Sequence, residues 1–510
     1  MRGSRQSVNP LNKLGFAVAR EKEGKIIITE LGKRFISGEY DIGYIFFKSL
    51  LKLQFPNPWS NDFTTKYGFD IQPLIATMHL IDRVNKNSND KTGLSQTEFS
   101  LFVPSLINFN CIDDYVKKVF EYRKAGNKEK FKIEFAKEFY HTKEPSEKQI
   151  KNFFEYGDNI MRYFRLTRYF RVETDKFGGN WRVDLEPTRR TEISQLLKMF
   201  SGKSLSFKDT EEYLKYISDI SLPVLPFEDT DNLKEIAKEL IENILLYIKQ
   251  NNLSISSEEQ KLLTTNFEKL TKKKLEEFIL SVRKMNLELK ERQRKYSLMN
   301  DVTKIQDIIN TLKDFKNIKK FAPEKFEKII TDALKIINDE IKIKPNYPVD
   351  DNGEPITHAP GNQADIECYY KSYNAICEVT LDTSNFQWVR ESQPVMRHLR
   401  DFENKHSDAK NYCLFVAPKI HLDTVYHFWI SIKHGYNGSP QQIIPFTTEQ
   451  FAVLLETLLN LIQKGKRLSH TEVEKLYQEI ILKTNSVGGH SEWFDFIPRI
   501  IQEWKLKVTA

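Results

Sequence analysis

The stretch 358–382, HAPGNQADIECYYKSYNAICEVTLD, decides how the last third of this chain is read. Two runs rich in Ile, Cys, Tyr and Val, over 364–370 and 375–381, flank the short turn KSYN and predict an antiparallel hairpin. Asp365 falls on the first strand and Glu378 on the second, each beside apolar residues. A carboxylate drawn toward a core costs free energy unless something compensates its charge. A metal ion is one such compensation. Antiparallel pairing can bring both side chains within reach of one divalent cation. Two carboxylates and a main-chain carbonyl, here that of Val379, form a hard-oxygen site of the kind Mg²⁺ accepts with several waters retained. Mn²⁺ is the ion expected to substitute for it. Such an ion would polarise a phosphodiester and activate an attacking water. The plain alternative makes Asp365 a strand-edge charge and Glu378 its salt-bridge neighbour. On these residues alone both readings stand.

Working outward, a helix is predicted from Pro323 to Ile341, carrying Glu324 and Glu327, followed by a loop with Asp350-Asp351-Asn352-Gly353. After the hairpin come a helix near 386–404, the strand NYCLFVAP, a helix with Trp429, the strand QQIIPF and the helix TEQFAVLLETLLNLIQKG. Strands with helices interposed predict an α/β domain over 316–510, built on a central mixed sheet covered on both faces. Glu391 and His398 share a face if their helix is continuous. Pro394, if it starts the helix, would leave Glu391 in the entering loop instead.

The first 205 residues read as α+β. Strands at Phe16–Ala19 and Lys25–Thr29 around Gly24, then a helix from Glu30, make one wing-like hairpin. A helix from Ile160 to Phe170, the turn DKFGGN and strands 171–174 and 181–185 make a second, so two winged-helix-like subdomains are expected. Only 15 residues precede Phe16, fewer than a full set of helices ahead of a wing needs. Ser95 with Glu98 forms a capping box. Arg162, Arg165 and Arg168 in RYFRLTRYFR recur every third residue, near one helical face where they could grip phosphates or guanine edges. The alternative leaves the aromatics in the core and the arginines merely solvated. Arg2 and Arg5 are candidates for a basic arm. Between the two halves, 206–315 shows apolar residues at spacings of three and four amid Lys and Glu, which predicts an all-α connector.

Composition bounds the rest. With 510 residues, 35 Phe and 21 Tyr, the chain can build several cores; its net charge of +7 permits nucleic-acid binding without requiring it. Four cysteines lack CxxC or zinc-like spacing and read as core residues of a reduced, intracellular protein. No signal peptide and no run of 18 apolar residues is present, so a soluble cytoplasmic protein with no membrane partner is expected.

The blocks THAPGNQADIE, ICEVT and ESQPVMRH, in this order and spacing, resemble the AlwI-type Type IIS restriction endonucleases, a family that includes site-specific nicking enzymes. More broadly they resemble the metal-dependent nuclease core with the PD-(D/E)XK signature. The resemblance implies that Asp365 and Glu378 bind the metal with the Val379 carbonyl, and that Glu391, His398 and Glu327 complete the catalytic set. It implies a prokaryotic enzyme acting on double-stranded DNA. A second copy, or a small catalytic subunit, would cut the other strand. The signature expects Lys where this chain has Thr380, which carries no positive charge. Two other functions fit the same residues: a repair or mobile-element nuclease, and a winged-helix regulator with an inactive nuclease fold.

Overall fold

The computed structural model describes residues 9–19, 25–38, 41–58, 64–88, 92–176, 178–337 and 339–510. The chain divides into two compact units: 1–174 with 180–287, and 175–179 with 288–510. The helical stretch 206–315 is therefore shared between them, and the chain passes from one to the other inside the helix Lys272–Asn300. No helix among the described residues is long and apolar enough to cross a membrane.

In the first unit, β1 (Ala17–Ala19) and β2 (Ile26–Ile28) pair antiparallel, Ala17 opposite Ile28. The turn that would contain Gly24 lies outside the described residues. Thr29 caps the next helix, Glu30–Ile36, by accepting the Gly32 N–H on its hydroxyl. A second sheet holds β3 (Leu94–Ser95), β4 (Phe170–Thr174) and β5 (Trp181–Leu185) in the order β3-β5-β4. Ser95 runs directly into the helix Gln96–Ser105 through the expected capping box: Ser95 N–H donates to Glu98 at 2.8 Å and Glu98 N–H donates back at 3.4 Å.

The helix before β4 spans Glu147–Leu166, ending short of the expected Phe170. Thr167 donates its hydroxyl to the Phe164 carbonyl, and Arg168 takes the left-handed conformation at φ 63°, which turns the chain into β4. This helix lies close against Gln96–Ser105 at Gly157. A Cβ there would sit 2.7 Å from Ser100 Cα, so the two backbones approach in a way only glycine allows.

The second unit is built on a five-stranded mixed sheet: β6 (Lys342–Pro345), β7 (Ile366–Tyr369), β8 (Tyr373–Val379), β9 (Lys410–Ala417) and β10 (Ile443–Thr447), in the order β10-β9-β8-β7-β6. β8 pairs antiparallel with β7 and parallel with β9, and β10 is parallel to β9. β9 is buried along all but its first residue, as a strand covered on both faces should be. The edge strand β6 was not expected. It lies in the stretch read as loop, just after a helix that stops at Ile337 rather than the expected Ile341, and it ends on Pro345, tolerated at an edge. Cys368, Cys377 and Cys413 are buried free thiols in this core.

Gly157→Ala should destabilise the first unit by about 1–3 kcal/mol through overpacking. At an open helix position the same change would stabilise by roughly 1 kcal/mol, so a lowered urea midpoint identifies the close approach by its sign.

Candidate active site

β8 outruns its neighbour. The β7–β8 ladder starts at Ile366 opposite Cys377, while β8 continues beside β9 to Val379 opposite Val416. Thr380 N–H donates to Val416 at 3.1 Å, so the strand's alternation turns the polar groups of Val379 toward the opposite edge. There the Val379 N–H donates to Asp365 Oδ2 at 2.8 Å. Strand alternation sends the Val379 carbonyl toward that same edge.

Glu378 is 7% exposed, and its Oε1 lies 2.8 Å from His398 Nδ1. With Glu378 ionised, Nδ1–H is the donor and Nε2 keeps its lone pair. Nε2 is buried with no hydrogen-bond partner among the described residues. Burial and the neighbouring Arg397 push the His398 pKa down, which favours that neutral ring. Glu391 stands in a π-helical turn, Trp388–Ser392, that runs without a break into the helix Gln393–Lys405. Both sequence alternatives are thus partly met: the helical chain is continuous, but its first turn is widened just before Pro394, which lacks an N–H to donate backward. Glu391 Oε1 accepts the Thr380 hydroxyl at 2.8 Å. On the helix Pro323–Ile337, Glu327 is buried, whereas Glu324 is partly exposed. Glu327 accepts the Ala359 N–H at 3.1 Å.

These carboxylates repel one another. Burial, then Glu378, raises the Asp365 carboxyl well above the usual range, against the Val379 N–H. Burial, then Glu391 and Glu327, does the same to Glu378. Burial raises Glu391, and burial with Asp365 pushes Glu327 up to about 8. Among the described residues no three His, Cys, Asp or Glu side chains converge as ligands of one ion. The expected set asks for only two side chains, with the Val379 main chain third, and these hard oxygens suit Mg²⁺ or Mn²⁺.

The arginine expectation needs correction. Arg162 is exposed and pairs with Asp158 at 2.9 Å, but Arg165 is 7% exposed and turns inward. Arg168 has left the helix and pairs with Asp41 at 3.0 Å. The three do not share a solvent-facing stripe, because the helix ends at Leu166 and the residue before its end packs into the core. Arg2 and Arg5 lie outside the described residues. Reading the sequence for carboxylates also missed Arg397, whose charge acts on both Glu378 and His398.

The model of the family described as AlwI restriction endonuclease matches residues 12–454. Among solved structures, the small subunit of the heterodimeric restriction endonuclease R.BspD6I is similar at 25% identity, over 38% of this chain and 97% of that one, with a TM-score of 0.32. No curated protein sequence matches.

Carboxyls with raised folded-state pKa values bind protons that the unfolded chain releases. Stability of the second unit should therefore fall as pH rises from about 4.5, the ordinary Glu value, toward about 8 for Glu327. Glu327→Gln keeps an acceptor for Ala359 and removes the titration, so its profile in EDTA should be flatter. Added Mg²⁺ should flatten the wild-type profile. Chemical denaturation across this range reads both effects, and a wild-type profile that climbs would contradict the charge argument.

Proposed function

This chain belongs to the AlwI restriction endonuclease family, and we propose that it is a Type IIS-like enzyme that recognises a short asymmetric duplex site and hydrolyses a phosphodiester outside it with Mg²⁺. The observation that carries this reading is the pair of Asp365, partly exposed just ahead of β7, and the buried Glu378 near the open end of β8, two like charges set close with the Val379 polar groups on the same edge. Asp365, Glu378 and Val379 would hold the ion, Mn²⁺ being able to replace it. When bound, the ion supplies Lewis-acid activation of the phosphate and lowers the pKa of an attacking water.

The chain's own residues do the rest. The Val379 N–H fixes the rotamer of Asp365. Glu378 holds the His398 ring so that Nε2 can take a proton from a water. Thr380 holds Glu391, and the Ala359 N–H holds Glu327, each against the repulsion of its neighbours. In this reading the nuclease core is of the PD-(D/E)XK kind, with Thr380 in place of its lysine.

Recognition is assigned to the first unit. Its order of helix Pro73–Lys86, β3, helix Gln96–Ser105, helix Glu147–Leu166, β4 and β5, with the sheet order β3-β5-β4, supports a winged-helix reading with two helices inserted. The exposed face of Glu147–Leu166, with Asn159 and Arg162, is then the surface offered to the duplex. One set of hydrolytic residues cuts one strand per encounter. A second copy or a small catalytic subunit would supply the other cut.

Asp365→Ala or Glu378→Ala should abolish cleavage while specific DNA binding persists, with Ca²⁺ supporting binding without turnover. Cleavage near the wild-type rate by either variant removes the assignment. On supercoiled plasmid at low enzyme concentration, open circles should accumulate before linear DNA. Direct conversion to linear form, independent of enzyme concentration, would rule out nicking by a single chain.

A further inference from the structure

A phosphodiester brings negative charge to a site already crowded with carboxylates, and it gains more as water adds to phosphorus. A protein cation aimed at that phosphate is therefore needed beside any bound ion. Thr380 does not provide it: its hydroxyl donates to Glu391 at 2.8 Å and accepts the Asp382 N–H at 3.1 Å. Two arginines stand near. Arg390 is already committed, with Nη1 3.2 Å from Asp382 and its guanidinium over the Phe386 ring at 5.9 Å.

Arg397 is different. It is exposed, and its guanidinium makes one long hydrogen bond of 3.4 Å, from Nη2 to the uncharged Oδ1 of Asn362. It forms no ion pair among the described residues. It directly precedes His398, the residue in contact with Glu378, on the helix Gln393–Lys405. Asn362 lies in the loop that enters Asp365, held at φ 67°, a conformation asparagine tolerates better than most residues. The Arg397–Asn362 bond thus joins the two segments that deliver His398 and Asp365, and leaves most guanidinium donors free.

The geometry points to Arg397 as a catalytic residue whose guanidinium takes a non-bridging oxygen of the scissile phosphate, with Asn362 as the residue that positions it. This rests on Asp365 and Glu378 being the hydrolytic centre. In the step it serves, the water oxygen forms a new bond to phosphorus while the bond to the leaving ester oxygen breaks. The water gives up one proton and the leaving oxygen takes one up, so no other reactant is needed. Arg397 stays protonated throughout and offers two parallel N–H donors to the charge that develops.

The test is single-turnover cleavage by the full chain with Mg²⁺, on a duplex whose cut position has been mapped by run-off sequencing. Arg397→Ala should lose about 10²–10³-fold in rate, the range seen when one donor to a developing oxyanion is removed. DNA affinity should change by only a few fold, with the thermal midpoint unmoved. Added guanidinium ion should restore part of the Arg397→Ala rate and none of the Asp365→Ala rate. Asn362→Ala should slow cleavage less, and guanidinium should not rescue it. Cleavage by Arg397→Ala within about threefold of wild type would overturn the proposal. So would a rate loss matched by an equal loss of DNA affinity without rescue, which marks a binding contact alone. A wild-type chain that cuts no DNA would overturn the hydrolytic reading itself, and this role with it.

Discussion

The 2.8 Å hydrogen bond from the Val379 main chain to Asp365 sets where negative charge collects in this protein. β8 must reach past the start of β7 to pair with β9 along its full length, which leaves Val379 facing an edge without a strand. A buried N–H left without an acceptor costs about 1–3 kcal/mol, so some group must fill the gap. Asp365 fills it. In doing so it is drawn against Glu378 on the neighbouring residue of β8, and two like charges end up in a desolvated pocket.

The second unit contains the contrasting solution a short distance along the chain. Glu354 is only partly buried, its side chain 34% exposed, and Lys325, Lys328 and Arg294 surround it and hold its pKa down to about 2. Its charge is compensated from within. The carboxylates of Asp365, Glu378, Glu391 and Glu327 receive a main-chain N–H, a neutral imidazole or a hydroxyl, and no Lys or Arg ion pair among the described residues. Hydrogen bonds fix their positions without cancelling their charge. A structural acid is neutralised by its own chain; this group, among the described residues, is not. That difference, more than the count of acids, separates a candidate metal centre from a salt-bridge network.

In the first unit the controlling feature is the close approach at Gly157, which sets the helix Glu147–Leu166 against Gln96–Ser105. Once that face is fixed, the rotation of the helix decides which arginines see solvent. Arg165 falls inward and Arg162 outward. Asp41 then takes Arg168, which lies beyond the helix end. Any DNA-contacting surface on this helix is consequently narrower and less basic than a string of arginines suggests.

Much was legible in local sequence. The turn KSYN between two apolar runs predicts the β7–β8 hairpin, and Ser95 with Glu98 predicts a helix start that forms as written, because turn and cap chemistry act over a few residues. Asp365 and Glu378 stand out because charge inside a strand pattern has few harmless explanations. What the chain could not show locally depends on packing between distant segments. The choice of Glu327 over Glu324 follows from which face of the helix meets Ala359, a residue 32 positions away. The fate of Arg165 follows from the Gly157 contact, and the division at Leu287 falls inside a helix whose pattern gives no sign of a boundary. Periodicity reports that a residue can be buried, but only the tertiary partners decide which face is, and against what.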